Sequence, residues 1–138
     1  MQCAELQERM SPRDLAPVCA GMAREYNGAL LVVERNNHGA AVLAYLEGES
    51  GFRLYAGRDR MAGWLTDAGS RPRMLSQFAV LVSERPELFF SERLMLECRS
   101  FVVNAAGRAE AAGGAHDDLV MSMAMAQSAA NQRVGFAG

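Results

Sequence analysis

One apolar segment limits the possible folds of this chain more than any other feature. Residues 29–33 read Ala-Leu-Leu-Val-Val, an unbroken apolar run that follows Asn27-Gly28 and ends at Glu34. A short run of branched apolar side chains between turn residues is typical of a strand buried on both faces, as in a parallel sheet. Parallel strands need a crossover connection, so the segment predicts an α/β fold.

The neighbouring segments fit such a fold. Residues 14–26 predict a helix, with Ser11 as its N-cap and Pro12 at its first position. A helix at 40–47 and a short strand at 52–55 complete a strand–helix–strand pattern. Further elements are predicted in chain order: a helix at 71–85, an extended stretch at 88–90, a helix at 92–100 capped by Ser91, a hairpin over 101–111 and a last helix over 117–130. The length of 138 residues predicts a single domain, or a piece of one.

Composition narrows the class of protein. The formal net charge of -2 argues against a surface that is basic throughout, as in many nucleic-acid-binding domains. The cysteines, at positions 3, 19 and 98, lack the spacing of metal ligands, and their odd number fits a reducing cytoplasm. No run of 18 apolar residues occurs, so we expect no membrane span and no membrane partner.

Two acidic positions stand out. Glu34 follows the predicted strand, where open α/β sheets bind ligands, and Asp117 and Asp118 open an apolar helix after a glycine-rich loop. Carboxylate oxygens suit Mg²⁺ or Mn²⁺. From spacing alone two other interpretations stay open. The aspartates fit a helix cap, and Glu34 fits a surface strand end before a turn. His38 and His116 are each more typical of ordinary polar residues than of ligands.

Two longer motifs carry a family resemblance. Residues 31–39, Leu-Val-Val-Glu-Arg-Asn-Asn-His-Gly, resemble the second acidic motif of the nucleases in phage terminase large subunits. Residues 113–124 resemble their third motif, in which His-Asp-Asp opens an apolar helix. Shorter stretches between them are also similar to the family: 63–66, 73–75 and 94–101. The order and spacing of these segments agree from about residue 12 to residue 130.

The resemblance implies an RNase H-like nuclease domain that holds two divalent ions, Mg²⁺ or Mn²⁺, and cuts concatemeric phage DNA during packaging. Glu34 matches the strand acid and Asp118 the metal-binding acid of the last helix, and both are expected to be catalytic. Asp117 matches the neighbouring acid, which is expected to be catalytic and to bind metal as well, and His116 matches a flanking residue that contacts the metal or orients a ligand. Asn37 and Gly39 match the turn. The implied partners are double-stranded DNA, the terminase small subunit and the portal, in the cytoplasm of a bacterial host.

The chain departs from the family in two respects. No apolar strand ending in Asp precedes Glu34, and no Gly-x-x-x-x-Gly-Lys-Ser/Thr loop of the ATPase motor is present. We therefore expect a fragment, either of a truncated prophage gene or of a longer protein, in which nuclease activity is uncertain. The strand near 29–34 would then expose an edge, and we expect self-association there. The alternative is a catalytically inactive, oligomeric α/β remnant. A flavodoxin-like domain is disfavoured, because no glycine-rich loop follows residues 29–33.

Overall fold

The computed structural model describes residues 1–36, 38–103, 109–113 and 116–134. The chain is mixed α/β and mainly helical, with a short parallel sheet flanked by helices, as predicted. It forms two compact units. The crossover unit consists of Glu8–Asp67, and the helical unit consists of Met1–Gln7 together with Ala68–Gly138.

The crossover unit contains the predicted strand–helix–strand element. Its elements in chain order are α1 (Pro12–Glu25), β1 (Leu30–Leu31), α2 (Gly39–Leu46) and β2 (Arg53–Leu54). Strands β1 and β2 are parallel, with Leu30 opposite Arg53 and Leu31 opposite Leu54. Helix α2 supplies the crossover connection that parallel neighbours require, which confirms the prediction from the apolar run.

Helix α1 begins where its local sequence predicts. The Ser11 hydroxyl oxygen accepts a hydrogen bond from the Asp14 backbone N–H at 3.2 Å, and Pro12 occupies the first turn, where its missing N–H leaves no bond unmade. Ala16 and Ala20 are fully buried on one face of α1 and form a core cluster with Val42 and Leu46 of α2. These small side chains let the two helices pack closely.

Strand β1 is less buried than the apolar run predicts. Residues 29–35 are half-buried, and regular pairing covers only Leu30–Leu31. On one edge of the segment, the Ala29, Leu31 and Val33 carbonyls accept from the N–H groups of Arg53, Tyr55 and Trp64. The expectation of a strand buried on both faces is therefore wrong. A parallel pair with two residues in each strand is too small to bury both faces of the segment.

The helical unit is built from three long helices and a hairpin. These are α3 (Ser70–Glu84), α4 (Glu92–Ser100), the hairpin of β3 (Phe101–Val103) and β4 (Ala109–Ala111), and α5 (Asp118–Val134). The hairpin is antiparallel with Phe101 opposite Ala111, as predicted. One local prediction is wrong, because Pro86–Leu88 form a turn of 3-10 helix and only the two residues that follow are extended. Proline at the first position favours that turn.

The core of the helical unit lies between α3, α4 and α5. Met74 and Phe78 of α3 and Leu94 of α4 are almost completely buried. Phe78 packs edge-to-face on Phe89, with ring centroids 5.6 Å apart. Six apolar residues in the described part of α5 are buried as well: Leu119, Val120, Met121, Ala124, Met125 and Ala129. Helix α5 is thus apolar because it is the central helix of this core. None of the described helices combines the length and hydropathy needed to cross a membrane.

The first seven residues pack along α4. The Gln2 side-chain oxygen accepts from the backbone N–H groups of Phe90 and Ser91 at 3.0 and 3.1 Å. Glu5 forms an ion pair with Arg93 at 2.7 Å. The Ser91 hydroxyl caps α4 by accepting from the Leu94 N–H at 3.0 Å, as predicted. The start of α4 is therefore held both by its own cap and by the N-terminal segment.

Candidate functional site

Glu34 lies where the β1 segment continues past the regular sheet. The Trp64 N–H donates to the Val33 carbonyl at 2.7 Å, and the Arg35 N–H donates to the Trp64 carbonyl at 2.9 Å. Glu34 and Trp64 are therefore parallel partners. This pairing places Glu34 at the carboxyl end of a parallel strand, the position that the sequence predicts for a ligand-binding acid.

The turn after Glu34 is built around a very close backbone approach. The Gly39 N–H donates to the Asn36 carbonyl at 3.0 Å, which closes the turn and starts α2. A Cβ atom at Gly39 would lie 1.5 Å from the Glu34 carbonyl oxygen, so only glycine fits. The resemblance assigned Gly39 to shaping the backbone, and this contact is consistent with that role. Asn37, the other turn residue named by the resemblance, lies outside the described residues.

The Glu34 side chain is half-buried and makes no hydrogen bond or ion pair with the residues that the structure describes. Its neighbour Asn36 uses its amide to donate to the Thr66 carbonyl at 2.9 Å, which ties the turn to the segment after Trp64. A carboxylate on such a braced backbone, with no partner of its own, is chemically suited to hold a hydrated divalent cation.

Arg35 is less suited to bind phosphate than its position suggests. Its guanidinium is largely buried and paired with Asp59. The pKa of the Asp59 carboxyl lies below its usual value. The larger cause is the hydrogen bond donated by the Arg35 side chain, and the smaller is the one donated by the Met61 N–H. Arg58, another arginine of the crossover unit, is exposed. Of the two, Arg58 is the one with an accessible guanidinium.

The second acidic position is the start of α5. His116 and Asp118 are exposed, and Asp117 is half-buried. Helix α5 begins at Asp118, and the Asp117 carbonyl accepts the first helical bond from the Met121 N–H at 2.9 Å. Neither the His116 nor the Asp118 side chain bonds to a residue within the described ranges. Gly114 and Ala115, which precede this segment in the motif, lie outside those ranges.

The two adjacent aspartates have different surroundings. The Asp117 carboxylate forms an ion pair with Arg71 of α3 at 3.3 Å, and the Arg71 side chain is only 13% exposed. The Asp118 carboxylate points into solvent. Asp117 is therefore held by the Arg71 guanidinium, whereas Asp118 is accessible to a ligand. The sequence showed both acids but did not show which one an arginine 46 residues away would engage.

The cap of α5 is provided by a residue from another helix. Glu97 of α4 is 9% exposed, and its carboxylate accepts hydrogen bonds from the Leu119 and Val120 N–H groups at 2.8 and 3.1 Å. Sequence reasoning placed Glu97 only within a stretch similar to the family. The feature of the sequence that could have indicated a buried role was the position of Glu97, three residues after Leu94 and on the apolar face of α4. A carboxylate on a buried face needs hydrogen-bond donors nearby.

The predicted site residues divide between the two units. Glu34 belongs to the crossover unit, whereas His116, Asp117 and Asp118 belong to the helical unit and are adjacent there. Across the described part of the chain, no group of three or more His, Cys, Asp or Glu side chains is arranged to hold a metal ion. Burial raises the pKa of the Cys19 and Cys98 thiols, which fits small apolar side chains better than metal-binding thiolates.

Comparisons of the chain with protein-family models, curated proteins and solved structures found no match. The resemblance to terminase nucleases therefore depends on the motifs in the sequence.

Proposed function

We propose that this chain is the C-terminal part of a terminase-type nuclease domain with an RNase H-like fold. In the intact parent, the domain would be a Mg²⁺- or Mn²⁺-dependent endonuclease that cuts concatemeric phage DNA. The observation that carries the proposal is the start of α5, where Asp118 presents an exposed, unpaired carboxylate directly after His116 and Asp117. Cap hydrogen bonds at the start of α5 are supplied by Glu97, which accepts from the Leu119 and Val120 N–H groups, and the Asp118 carboxylate is left available for a ligand.

Each acidic residue has a distinct role in this proposal. In the intact parent, Glu34 and Asp118 would each supply a carboxylate to the ions, whose positive charge would stabilise the oxygens of a phosphodiester during cleavage. Asp117 and His116 flank the ion position, and the ion pair with Arg71 keeps Asp117 in place. Arg58 is the candidate for phosphate contact, because its side chain is exposed. Double-stranded DNA, the terminase small subunit and the portal are the proposed partners, in the bacterial cytoplasm.

Plasmid nicking in the presence of Mn²⁺ tests this proposal. Loss of an outer-shell partner of a metal site typically costs about 10–100-fold in activity, so loss of the proposed direct ligand in Asp118→Ala should lower nicking by at least about 100-fold. Glu34→Ala should have an effect of the same order. Glu92→Ala is the matched control, because Glu92 is the first residue of α4 just as Asp118 is the first residue of α5. Equal nicking by wild type and by the Asp118→Ala protein would refute the assignment.

A second candidate is the inactive oligomeric remnant, and the backbone of β1 favours it. Ala29, Leu31 and Val33 use their carbonyls on one edge. Alternation places the backbone groups of Leu30 and Val32 on the opposite edge, where they bond to no described residue. Such an edge can pair with an extended segment of a second copy.

Size-exclusion chromatography with light scattering tests the edge pairing. We expect the mass to rise from one chain towards a dimer or a larger oligomer as protein concentration increases, because edge pairing between copies depends on concentration. A clean monomer at both low and high concentration would contradict it. Self-association without any Mn²⁺-dependent nicking would favour the remnant over the nuclease.

A further inference from the structure

Glu97 is a charged side chain with an unusually complete set of partners for its burial. One carboxylate oxygen accepts from the Leu119 and Val120 N–H groups at 2.8 and 3.1 Å. The other accepts from the Gln7 side-chain amide at 3.2 Å. Desolvating a carboxylate is costly unless hydrogen bonds replace the water. These three bonds explain why a glutamate is tolerated in the core at 9% exposure.

The hydrogen bonds that Glu97 accepts take the place of a local cap at the start of α5. The first N–H groups of a helix have no partner within the helix and are usually bonded by a Ser, Thr, Asp or Asn at the cap position. Asp117 precedes α5, but its carboxylate is paired with Arg71 at 3.3 Å. The carboxylate of Glu97, which comes from α4, therefore bonds the N–H groups at the start of α5.

The location of these bonds matters for Asp118. Leu119 and Val120 follow it directly, so their bonds to Glu97 hold the first turn of α5. Asp118 stands on that turn with an exposed carboxylate that has no partner within the described ranges. Its position is therefore determined by its backbone, and that backbone is held by Glu97.

We propose that Glu97 is a positioning residue, which holds the start of α5 so that Asp118 is oriented to bind a divalent cation. This inference rests on the proposed function, in which Asp118 is an ion ligand. The physical reason is preorganisation. If the backbone of Asp118 were mobile, it would have to become ordered when the ion binds, and this would lower the affinity. The role of Glu97 is to accept the two N–H bonds, and its charge is secondary.

Two variants distinguish the effect of the length of the Glu97 side chain from the effect of its charge. Glu97→Gln keeps the length of the side chain and an oxygen that can accept both N–H bonds, but it removes the charge. Glu97→Asp keeps the charge but shortens the side chain by one methylene, which withdraws the carboxylate from α5. The probe is Mn²⁺ alone, with the free ion measured by electron paramagnetic resonance in titrations of the full chain. Folding of each variant is checked by circular dichroism at the same temperature.

We expect Glu97→Asp to weaken Mn²⁺ binding by about 10-fold, the lower end of the range for outer-shell partners. Glu97→Gln should stay within about 3-fold of wild type, because the two N–H bonds remain. Asp118→Ala should remove the binding. Ser11→Ala is the control for lost stability, because it deletes the cap of α1 in the crossover unit and should leave Mn²⁺ affinity unchanged.

The outcomes distinguish this inference from the proposed function. If Asp118→Ala abolishes binding while Glu97→Asp binds as well as wild type, positioning by Glu97 is overturned and the ion site stands. If Glu97→Gln loses as much affinity as Glu97→Asp, an oxygen that can accept the two N–H bonds is not sufficient, and positioning as proposed is again overturned. If wild type binds no Mn²⁺, the ion site itself fails and there is no ligand for Glu97 to position.

Discussion

Replacing Gly39 by alanine is expected to lower the free energy of unfolding of the crossover unit by more than about 3 kcal/mol, beyond the usual range for overpacked sites. The added Cβ would lie 1.5 Å from the Glu34 carbonyl oxygen and 2.6 Å from its carbonyl carbon. Both of those atoms are backbone, so no side chain can rotate to make room. The turn must open, and opening it displaces Glu34 as well as the start of α2.

The chain has its own optical probe for this effect. Trp64 is the only tryptophan, is 7% exposed and pairs with Glu34 through the backbone. Urea unfolding followed by its fluorescence therefore reports on the segment that contains the turn. Gly21→Ala is the matched control, because no atom lies within 4 Å of a Cβ added at that position in α1. It should stabilise the helix by about 0.5–1 kcal/mol. Similar midpoints for the two variants would show that the approach at Gly39 is not tight.

Replacing Leu94 by alanine is expected to destabilise the helical unit by about 2–5 kcal/mol, the range for large-to-small changes at buried leucines. Leu94 is 1% exposed and is among the largest fully buried side chains. The cavity would lie in α4, one turn before Glu97. We therefore expect looser packing of α4 and weaker Mn²⁺ binding along with the lower stability.

The same helix provides the control for this prediction. Leu96 lies two residues later, is 54% exposed, and should change stability by no more than about 0.5 kcal/mol when replaced by alanine. Urea unfolding followed by circular dichroism measures both variants, because the helical unit has no tryptophan. Equal losses in the two proteins would mean that Leu94 does not contribute to the core in solution as its burial indicates.

Local chemistry made several elements of the fold predictable. Ser11 and Ser91 were both expected to cap helices, and both accept the expected backbone bond. The hairpin pairs Phe101 with Ala111 on either side of the anticipated turn, although residues 104–108 lie outside the described ranges. Caps and turns depend on neighbours within a few residues, so a single sequence contains the information they need.

The partners of the charged side chains near the candidate site could not be predicted from the sequence in the same way. Asp117 and Asp118 are adjacent and chemically identical, yet one is paired with Arg71 and the other is exposed. Arg35 directly follows Glu34 in the sequence, but the structure pairs it with Asp59. In each case the partner lies 24 or more residues away in the sequence. Spacing along the chain does not determine which charged groups meet in space.

The sequence by itself determined the mixed α/β class, the parallel strand–helix–strand element, and the motifs at Glu34 and at His116–Asp118 on which the proposed nuclease function depends. It did so because apolar periodicity and turn chemistry act over short distances. Only the tertiary structure decided that β1 is half-buried, that Asp117 is tied to Arg71, and that Glu97 caps α5. These features follow from how separate helices and strands pack, since a buried carboxylate or an unpaired N–H group is satisfied by whichever partner the packing brings near.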